Sequence, residues 1–317
     1  MGLFAGLLYF VLKRFNSTGA AIAFALYLVV GSWATAEGRF DLIPAGFTLV
    51  ALICAERSRW KWAFAMLALA TLFKFYPLVL LIPFFIAQQK QVSGKWYAWR
   101  RWNAFGVFVA VCVVVETVSL LLSVEGTLGP LSYFGSRPIQ VESFSASLLW
   151  LGSFLGYPLQ YAFTFGSLNV LGPLSSKVER LGTIGLVMGL GYLFWLQWRG
   201  KLNLPTAALL TLLIVMLTGK VFSPQYLIWV APLVAYVGKS NWKWLLSWGI
   251  VALLTTCIYP YIYVAASDVL QVPYVPAFYP VAFVRNMLLL GVILVLLYQA
   301  TRSPQCSAGT SGTAETV

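Results

Sequence analysis

Long apolar stretches, separated by short polar clusters, recur along the chain from residue 1 to about residue 300. Stretches of this length and composition are typical of helices that lie in lipid. The pattern predicts an all-α integral membrane protein, a polytopic helical bundle of about eleven crossings with broken or re-entrant segments on the outer face. The predicted crossings lie at residues 1–12, 18–36, 42–56, 62–87 (two short halves), 103–123, 181–198, 203–219, 224–237, 243–265 and 281–300.

The composition agrees with this class of protein. Hydrophobic residues make up 60% of the 317 residues and charged residues only 9%, too few to cover a soluble domain. The net charge of +12 comes from 21 Lys and Arg against 9 Asp and Glu. Most cations form clusters between apolar segments, namely Lys13-Arg14, Arg57/Arg59/Lys61, Lys90 to Arg101, Arg199/Lys201 and Lys239/Lys243. The positive-inside rule places such clusters in the cytoplasm, so we expect no nucleic-acid partner.

The basic clusters also predict a break in one apolar stretch. Residues 62–87 separate two predicted cytoplasmic clusters, so they must cross the membrane an even number of times. The segment Phe73–Pro77 allows this, because proline removes a hydrogen-bond donor and disfavours helix at the preceding residue. Each half then has about a dozen residues, roughly 18 Å of helix against about 30 Å of hydrocarbon. We therefore expect short or broken helices that reach a recess in the outer half of the membrane.

The same count predicts one polytopic domain over residues 1–300, with an external region at about 124–180. Within that region, residues 143–165 are apolar, and we interpret them as a re-entrant or interfacial segment. The tail 301–317 is rich in Ser, Thr and Gly. It is predicted to be disordered in the cytoplasm.

Two absences from the sequence narrow the chemistry. The chain has no histidine, and its four cysteines have no metal-binding spacing, so we predict no metal site and no imidazole catalysis. The predicted cytoplasmic loops are short and carry no glycine-rich phosphate loop, so we also expect no cofactor. Any proton transfer must then fall to Asp or Glu, on the outer side.

Four polar segments on the predicted outer side are candidates for a site: Glu37–Asp41, Phe73–Pro77, Ser136–Ser143 and Lys220–Tyr226. Lys74 and Lys220 are isolated cations at the ends of apolar segments. Each could extend to the outer headgroups, or bind an anion such as the phosphate of a lipid carrier.

Other residues of these segments also allow two interpretations. Arg137 and Glu142 lie on either side of a proline, where they could bracket a polar ligand or pair with each other. Ser223 is an ordinary residue for a helix start. Gln225 and Tyr226 could belong to that helix start or contact sugar hydroxyls.

In this order, these segments resemble the polytopic glycosyltransferases of the C superfamily, specifically glycosyltransferase family 87, which includes polyprenol-phosphate-mannose-dependent mannosyltransferases. The resemblance covers roughly residues 1–300 and rests on Gly38-Arg-Phe-Asp-Leu-Ile-Pro-Ala45, Leu72-Phe-Lys-Phe-Tyr-Pro-Leu78, Arg137-Pro-Ile-Gln-Val-Glu-Ser143 and Phe222-Ser-Pro-Gln-Tyr-Leu-Ile-Trp229. It implies inverting transfer of mannose or another hexose or pentose from a polyprenyl-phosphate sugar donor. The implied acceptor is a lipid or glycan on the outer face of the cell membrane, with membrane lipids as further partners.

The matched segments contain the expected site residues. Asp41 and Glu142 are the candidate catalytic acids, because an inverting transfer needs a carboxylate to accept the acceptor's proton. The expected substrate-binding residues are Lys74, Tyr76, Arg137, Gln140, Lys220, Ser223, Gln225 and Tyr226.

The sequence departs from the family pattern at its amino terminus. In the family, the catalytic acid lies in a first external loop after a first transmembrane helix, and a Tyr-Pro-Pro segment commonly opens the next helix. We expect this chain to lack that helix and loop. Two alternatives therefore stay open: a transporter or flippase of lipid-linked sugars, and a truncated, inactive paralogue.

Overall fold

The computed structural model describes residues 1–36, 38–129 and 137–302, which form a helical bundle with one small β-sheet. The helices are α1 (Gly2–Phe15), α2 (Thr18–Gly31), α3 (Trp33–Ala36), α4 (Leu42–Glu56), α5 (Trp60–Phe73), α6 (Leu81–Gln91), α7 (Trp99–Leu122), α8 (Phe144–Ser153), α9 (Ser175–Trp198), α10 (Leu204–Thr218), α11 (Tyr226–Gly238), α12 (Trp242–Thr256) and α13 (Phe278–Arg302). The strands are β1 (Ile139–Gln140), β2 (Gln160–Thr164) and β3 (Ser167–Leu171).

The predicted class, an all-α membrane protein, is confirmed. Among the described residues, four stretches are long and apolar enough to cross a membrane: α7, α9, α13, and Trp242–Ala265, which contains α12. The same part of the chain contains six shorter apolar helices of 10–17 residues: α2, α4, α5, α8, α10 and α11. Each predicted crossing coincides with a helix, while the number that span the bilayer remains a prediction.

Several helices begin where a polar side chain satisfies their free backbone N–H groups. The hydroxyl of Ser17 accepts from the backbone N–H of Ala20 at 3.1 Å, ahead of α2. The side chain of Asn203 accepts from Thr206 N at 3.0 Å ahead of α10, and Pro205 occupies the first turn of that helix. These contacts fix helix starts in otherwise uniform apolar sequence, because a helix leaves its first N–H groups without partners in its own backbone.

The predicted break near residue 75 is present. Helix α5 ends at Phe73, and Lys74 follows in an extended conformation, with φ −161° and ψ 135°. A 3-10 helix with Pro77 in its first turn then spans Tyr76–Leu80 and leads into α6. The break places Lys74 at a helix end, and the same end of the bundle carries Asp41 before α4 and Ser223 before α11. We call it the site end.

The main core lies between the helices. Helix α4 packs against α5, α5 against α7, and α2 against α11 and α12. Leu49, Phe64 and Val230 are among its fully buried side chains. Helices α2 and α12 approach so closely that a Cβ on Gly31 would lie 2.5 Å from the Cβ of Ala252, which explains the glycine.

A second core lies at the site end, beneath a sheet that the sequence analysis did not predict. Strands β2 and β3 form an antiparallel hairpin, and β1 pairs with β3, giving the order β1-β3-β2. Val141, Leu168 and Phe278 belong to this core, so it joins the sheet to α13. The predicted re-entrant segment 143–165 is therefore helical only over α8 and ends in β2.

Two helices extend past boundaries drawn from the sequence, while the predicted external region and tail stay predictions. Helix α9 begins at Ser175, inside the region predicted to be external up to residue 180. Helix α13 continues through Arg302, so the first two residues of the predicted tail, Thr301 and Arg302, are helical. Residues 303–317 lie outside the described residues, as do Glu37 and Ser136 of the candidate segments.

Candidate active site

The first group of site residues forms around Asp41, immediately before α4. Its Oδ1 atom forms an ion pair with the ammonium of Lys74 and also accepts from the indole Nε1–H of Trp229. The Asp41 side chain is 1% exposed, and that of Lys74 is 25% exposed. The second carboxylate oxygen, Oδ2, is buried and has no hydrogen-bond partner among the described residues. Among the described residues this oxygen is therefore an unsatisfied hydrogen-bond acceptor.

Trp229 connects this pair to three aromatic rings. Tyr76 stacks on Trp229, with centroids 4.3 Å apart and an angle of 1° between the planes. Tyr226 stacks on Trp229 at 3.8 Å, and Phe222 meets Tyr226 edge-on at 6.1 Å. The Lys74 ammonium lies 5.0 Å from the Trp229 ring centroid, within cation–π range. We call Tyr76, Trp229, Tyr226 and Phe222 the aromatic ladder.

The second group forms around Glu142, at the far end of the ladder. The guanidinium of Arg285 lies 4.1 Å from the Phe222 ring centroid. Arg285 Nη1 lies 3.3 Å from Glu142 Oε2, and the Tyr263 hydroxyl donates to Glu142 Oε1 at 3.2 Å. The amide of Asn286 donates to the Glu142 carbonyl at 3.3 Å. Arg285 Nη2 donates to the same carbonyl. Both carboxylate oxygens and the backbone carbonyl of Glu142 are therefore occupied.

The charge state of the Glu142 carboxyl depends on Arg285, its ion-pair partner. Burial raises the pKa of the carboxyl above its ordinary value, whereas the charge of Arg285 and the hydrogen bond from Tyr263 act in the opposite direction. Because the Glu142 and Arg285 side chains are 2% and 0% exposed, removal of either would leave a polar group buried without its partner.

A polar cavity of about 340 Å³ opens at the site end. Its lining includes five of the predicted site residues, Arg137, Gln140, Glu142, Ser223 and Gln225, together with Arg39. Arg39 precedes Asp41 by two residues, so the Asp41 loop forms part of the cavity wall. Helix α3 also contributes, through Ala34 and Thr35.

An apolar groove of about 490 Å³ lies on the other side of α3. It runs between α1 and α2 and is lined by small and apolar residues such as Ala5, Gly6 and Leu28. Trp33 and Ala36 of α3 line the groove. One helical turn therefore separates the apolar groove from the polar cavity.

The structure thus brings most of the predicted residues together in two adjoining sets. Asp41, Lys74, Tyr76 and Tyr226 contact Trp229 or its partners, and the other set lines the cavity. Lys220 differs, because its backbone carbonyl accepts from Gln140 N at 2.9 Å and it does not line the cavity.

Two central residues were missed by the sequence analysis. Trp229 ends the segment Phe222–Trp229 of the family resemblance, but it received no role because it is one of 13 tryptophans. Arg285 received no role either, and the structure places it fully buried beside Glu142. Glu142 pairs with Arg285, a partner that neither interpretation of the Ser136–Ser143 segment had included. A cation inside an apolar segment was the available signal, since such a charge needs a partner.

Together, the bundle and its polar cavity define a polytopic membrane protein whose candidate chemistry lies at one end of the helices. The family model for glycosyltransferase family 87 matches residues 1–224, so the chain belongs to that family. This confirms the resemblance and makes the chain a membrane glycosyltransferase. No curated protein and no solved structure matches the chain. Trp229 and Arg285 lie beyond the matched range.

Proposed function

We propose that the protein transfers a sugar, mannose or another hexose or pentose, from a polyprenyl-phosphate donor to a lipid or glycan acceptor at the outer face of the cell membrane. The observation that carries this proposal is the Asp41–Lys74 pair at the helix break, which combines a buried carboxylate oxygen with an adjacent, partly exposed cation. A sugar transfer from a lipid phosphate requires these two groups, one for the proton and one for the phosphate.

The two recesses match the two parts of such a donor. The apolar groove between α1 and α2 suits the polyprenyl chain, because its lining is dominated by apolar atoms. The polar cavity across α3 suits the phosphate and the sugar. Arg39 and Arg137 line this cavity, and Lys74 lies beside the Asp41 loop. Such cations stabilise the charge of a phosphate leaving group.

We assign the role of general base to Asp41. The acceptor hydroxyl oxygen attacks the anomeric carbon, its proton passes to Asp41 Oδ2, and the bond from the anomeric carbon to the phosphate oxygen breaks. Polyprenyl phosphate leaves with the electron pair, so charge and atoms balance. The Asp41 Oδ1 atom is held by Lys74 and Trp229, which orients the carboxylate.

Glu142 is the weaker candidate base, although it lines the cavity. Both of its carboxylate oxygens accept hydrogen bonds from residues on other elements, and its carbonyl accepts two more. We assign it to holding the cavity wall against α13.

The test is donor-dependent transfer by the purified protein in liposomes. Radiolabelled polyprenyl-phosphate hexoses and pentoses are offered in turn with a lipid extract as acceptor, and nucleotide sugars serve as the alternative donors. We expect labelled product from one polyprenyl-phosphate sugar and none from nucleotide sugars. Transfer from nucleotide sugars alone, or movement of the donor across the bilayer without transfer, would overturn the proposal.

Lys74→Ala should reduce transfer about 10- to 100-fold, because a charged hydrogen bond contributes about 1.5–3 kcal/mol. The matched control is Lys61→Ala, which removes an exposed cation from the opposite end of the same helix. Equal turnover by both variants would remove Lys74 from the site.

A further inference from the structure

Two partly exposed aromatic rings flank the polar cavity. Phe163 in β2 is 57% exposed and Tyr259, which follows α12, is 38% exposed, and both line the cavity. They come from different parts of the chain, because Phe163 belongs to the β2–β3 hairpin and Tyr259 to the segment between α12 and α13. Neither residue has a role in the proposed proton or phosphate chemistry.

The hairpin holds Phe163 in a fixed position. Phe165 and Gly166 form a two-residue turn with positive φ, 54° and 63°, the geometry that closes tight hairpins. The buried side chain of Asn169 donates to the Thr164 carbonyl at 2.8 Å and accepts from the Ser167 hydroxyl at 3.0 Å. These contacts join both strands around the turn, so the ring of Phe163 is presented by a rigid element.

The interior of the same cavity presents a buried amide. Gln140 is 5% exposed and lines the cavity, and its Oε1 atom has no hydrogen-bond partner among the described residues. Its strand pairs with the hairpin, with Gln140 opposite Asn169. A buried amide oxygen without a donor costs free energy unless a ligand supplies the missing hydrogen bond. This is a separate indication that a polar ligand enters here.

Aromatic faces at a mouth and amide or carboxylate groups inside it match one class of molecule. A sugar ring has a face of C–H groups that packs on an aromatic ring and an edge of hydroxyls that needs donors and acceptors. A simple lipid alcohol has one hydroxyl, the one that reacts, so it has no further O–H group to donate to Gln140 Oε1.

We propose that the acceptor is a glycan, and that its terminal sugar packs on Phe163 and Tyr259 while its hydroxyls bond to Gln140. The inference rests on the proposed function, to which it adds the chemical class of the acceptor. The donor's sugar then occupies the part of the cavity nearest the Asp41 loop.

Direct binding of free sugars tests this inference without any donor. Saturation-transfer NMR on the protein in detergent would use methyl mannopyranoside, methyl glucopyranoside and methyl arabinofuranoside as probes. We expect at least one to bind, and Phe163→Ala and Tyr259→Ala each to weaken it about three- to tenfold. Phe163→Trp should retain binding, because it keeps an aromatic face.

The matched control is Tyr261→Ala. Tyr261 is also an exposed tyrosine, two residues from Tyr259, but it does not line the cavity. Unchanged binding is expected for this variant. If Tyr261→Ala weakens binding as much as Tyr259→Ala, or if none of the three sugars binds, the acceptor subsite is wrong.

Kinetics then separate this inference from the proposed function. With an octyl glycoside of the best-binding sugar as acceptor, Phe163→Ala should raise the acceptor KM three- to tenfold and leave the donor KM unchanged. A raised donor KM would assign the rings to the donor sugar and overturn the inference while preserving the proposed function. Sugar binding that depends on both rings, with no transfer from any donor, would preserve the subsite and overturn the proposed function.

Discussion

Two ion pairs contact the aromatic ladder, Asp41–Lys74 at Trp229 and Glu142–Arg285 at Phe222, and they differ in one respect that matters for chemistry. In the Asp41–Lys74 pair, one carboxylate oxygen receives both donors and the other has no partner among the described residues. In the Glu142–Arg285 pair, both carboxylate oxygens and the backbone carbonyl accept hydrogen bonds. The first pair retains capacity for a ligand, whereas the second is complete within the protein.

The exposure of the cations follows the same division. The Lys74 side chain is partly open, at 25%, whereas that of Arg285 is completely enclosed. A buried, fully bonded pair fixes the position of the elements that carry it, here the turn between β1 and α8 and helix α13. A pair with an open side can change partners during a reaction. The comparison therefore predicts that variants of the first pair change activity and that variants of the second change stability.

The largest effect is expected for Asp41→Asn. Loss of a general base costs typically 10²- to 10⁴-fold in rate, and the amide keeps the size of the side chain. Lys74 reaches solvent, so its charge can be hydrated and the thermal unfolding temperature should change little. Initial rates of transfer and unfolding of the same preparation, followed by intrinsic fluorescence, measure the two quantities.

Glu56→Gln is the control for this variant, because Glu56 is an acid at the opposite end of the same helix α4. It should retain nearly full activity. Transfer by Asp41→Asn within a factor of three of the unchanged protein would exclude Asp41 as the base and reverse the comparison.

The second prediction concerns stability. Arg285→Met should destabilise the protein by about 3–5 kcal/mol, because it leaves Glu142 buried without its cation. The double variant with Glu142→Leu should be more stable than the single one, since apolar groups then replace both charges. Thermal unfolding in detergent, compared across the three proteins, measures this order.

Arg39→Met provides the matched control, because Arg39 is an exposed arginine of the same cavity. It should unfold like the unchanged protein. If Arg285→Met unfolds normally but loses activity, the Glu142–Arg285 pair acts in the reaction, and the division between the two pairs is wrong.

The sequence predicted the part of this arrangement that depends on local rules. The helix break at Phe73–Pro77 follows from proline chemistry, and the cation placed there was recognised as a candidate. Arg285 was not assigned to Glu142 because 143 residues separate them, and only the packing of α13 on the second core brings them together. Trp229 did not stand out in the sequence, because it is one of 13 tryptophans and tryptophan is common at membrane interfaces. Its indole contact with Asp41 depends on the position of α11 in the folded bundle.

The hairpin was missed for a different reason. The two-residue turn Phe165-Gly166 contains a glycine but lacks the Asn-Gly or Asp-Gly pair that marks a hairpin in a sequence. The apolar content of residues 143–165 favoured a membrane-dipping segment instead. Hydrophobicity alone does not distinguish a five-residue strand from part of a helix. The short length of the two segments was the information that could have identified them as strands.

The smallest expected effect tests whether Trp229 orients Asp41. Trp229→Phe keeps an aromatic ring between Tyr76 and Tyr226 but removes the Nε1–H that donates to Asp41 Oδ1. Loss of one hydrogen bond of about 0.5–1.5 kcal/mol predicts a two- to tenfold fall in kcat. The donor KM should stay the same, because Lys74 remains in place. Steady-state kinetics with the polyprenyl-phosphate donor distinguish the two parameters.

Trp244→Phe removes a comparable indole hydrogen bond at the opposite end of the bundle, where Trp244 Nε1 donates to the Val234 carbonyl at 3.0 Å. If the Trp229 hydrogen bond acts through the carboxylate, only Trp229→Phe should lower kcat. An equal fall in both variants would reduce the role of Trp229 to packing within the aromatic ladder.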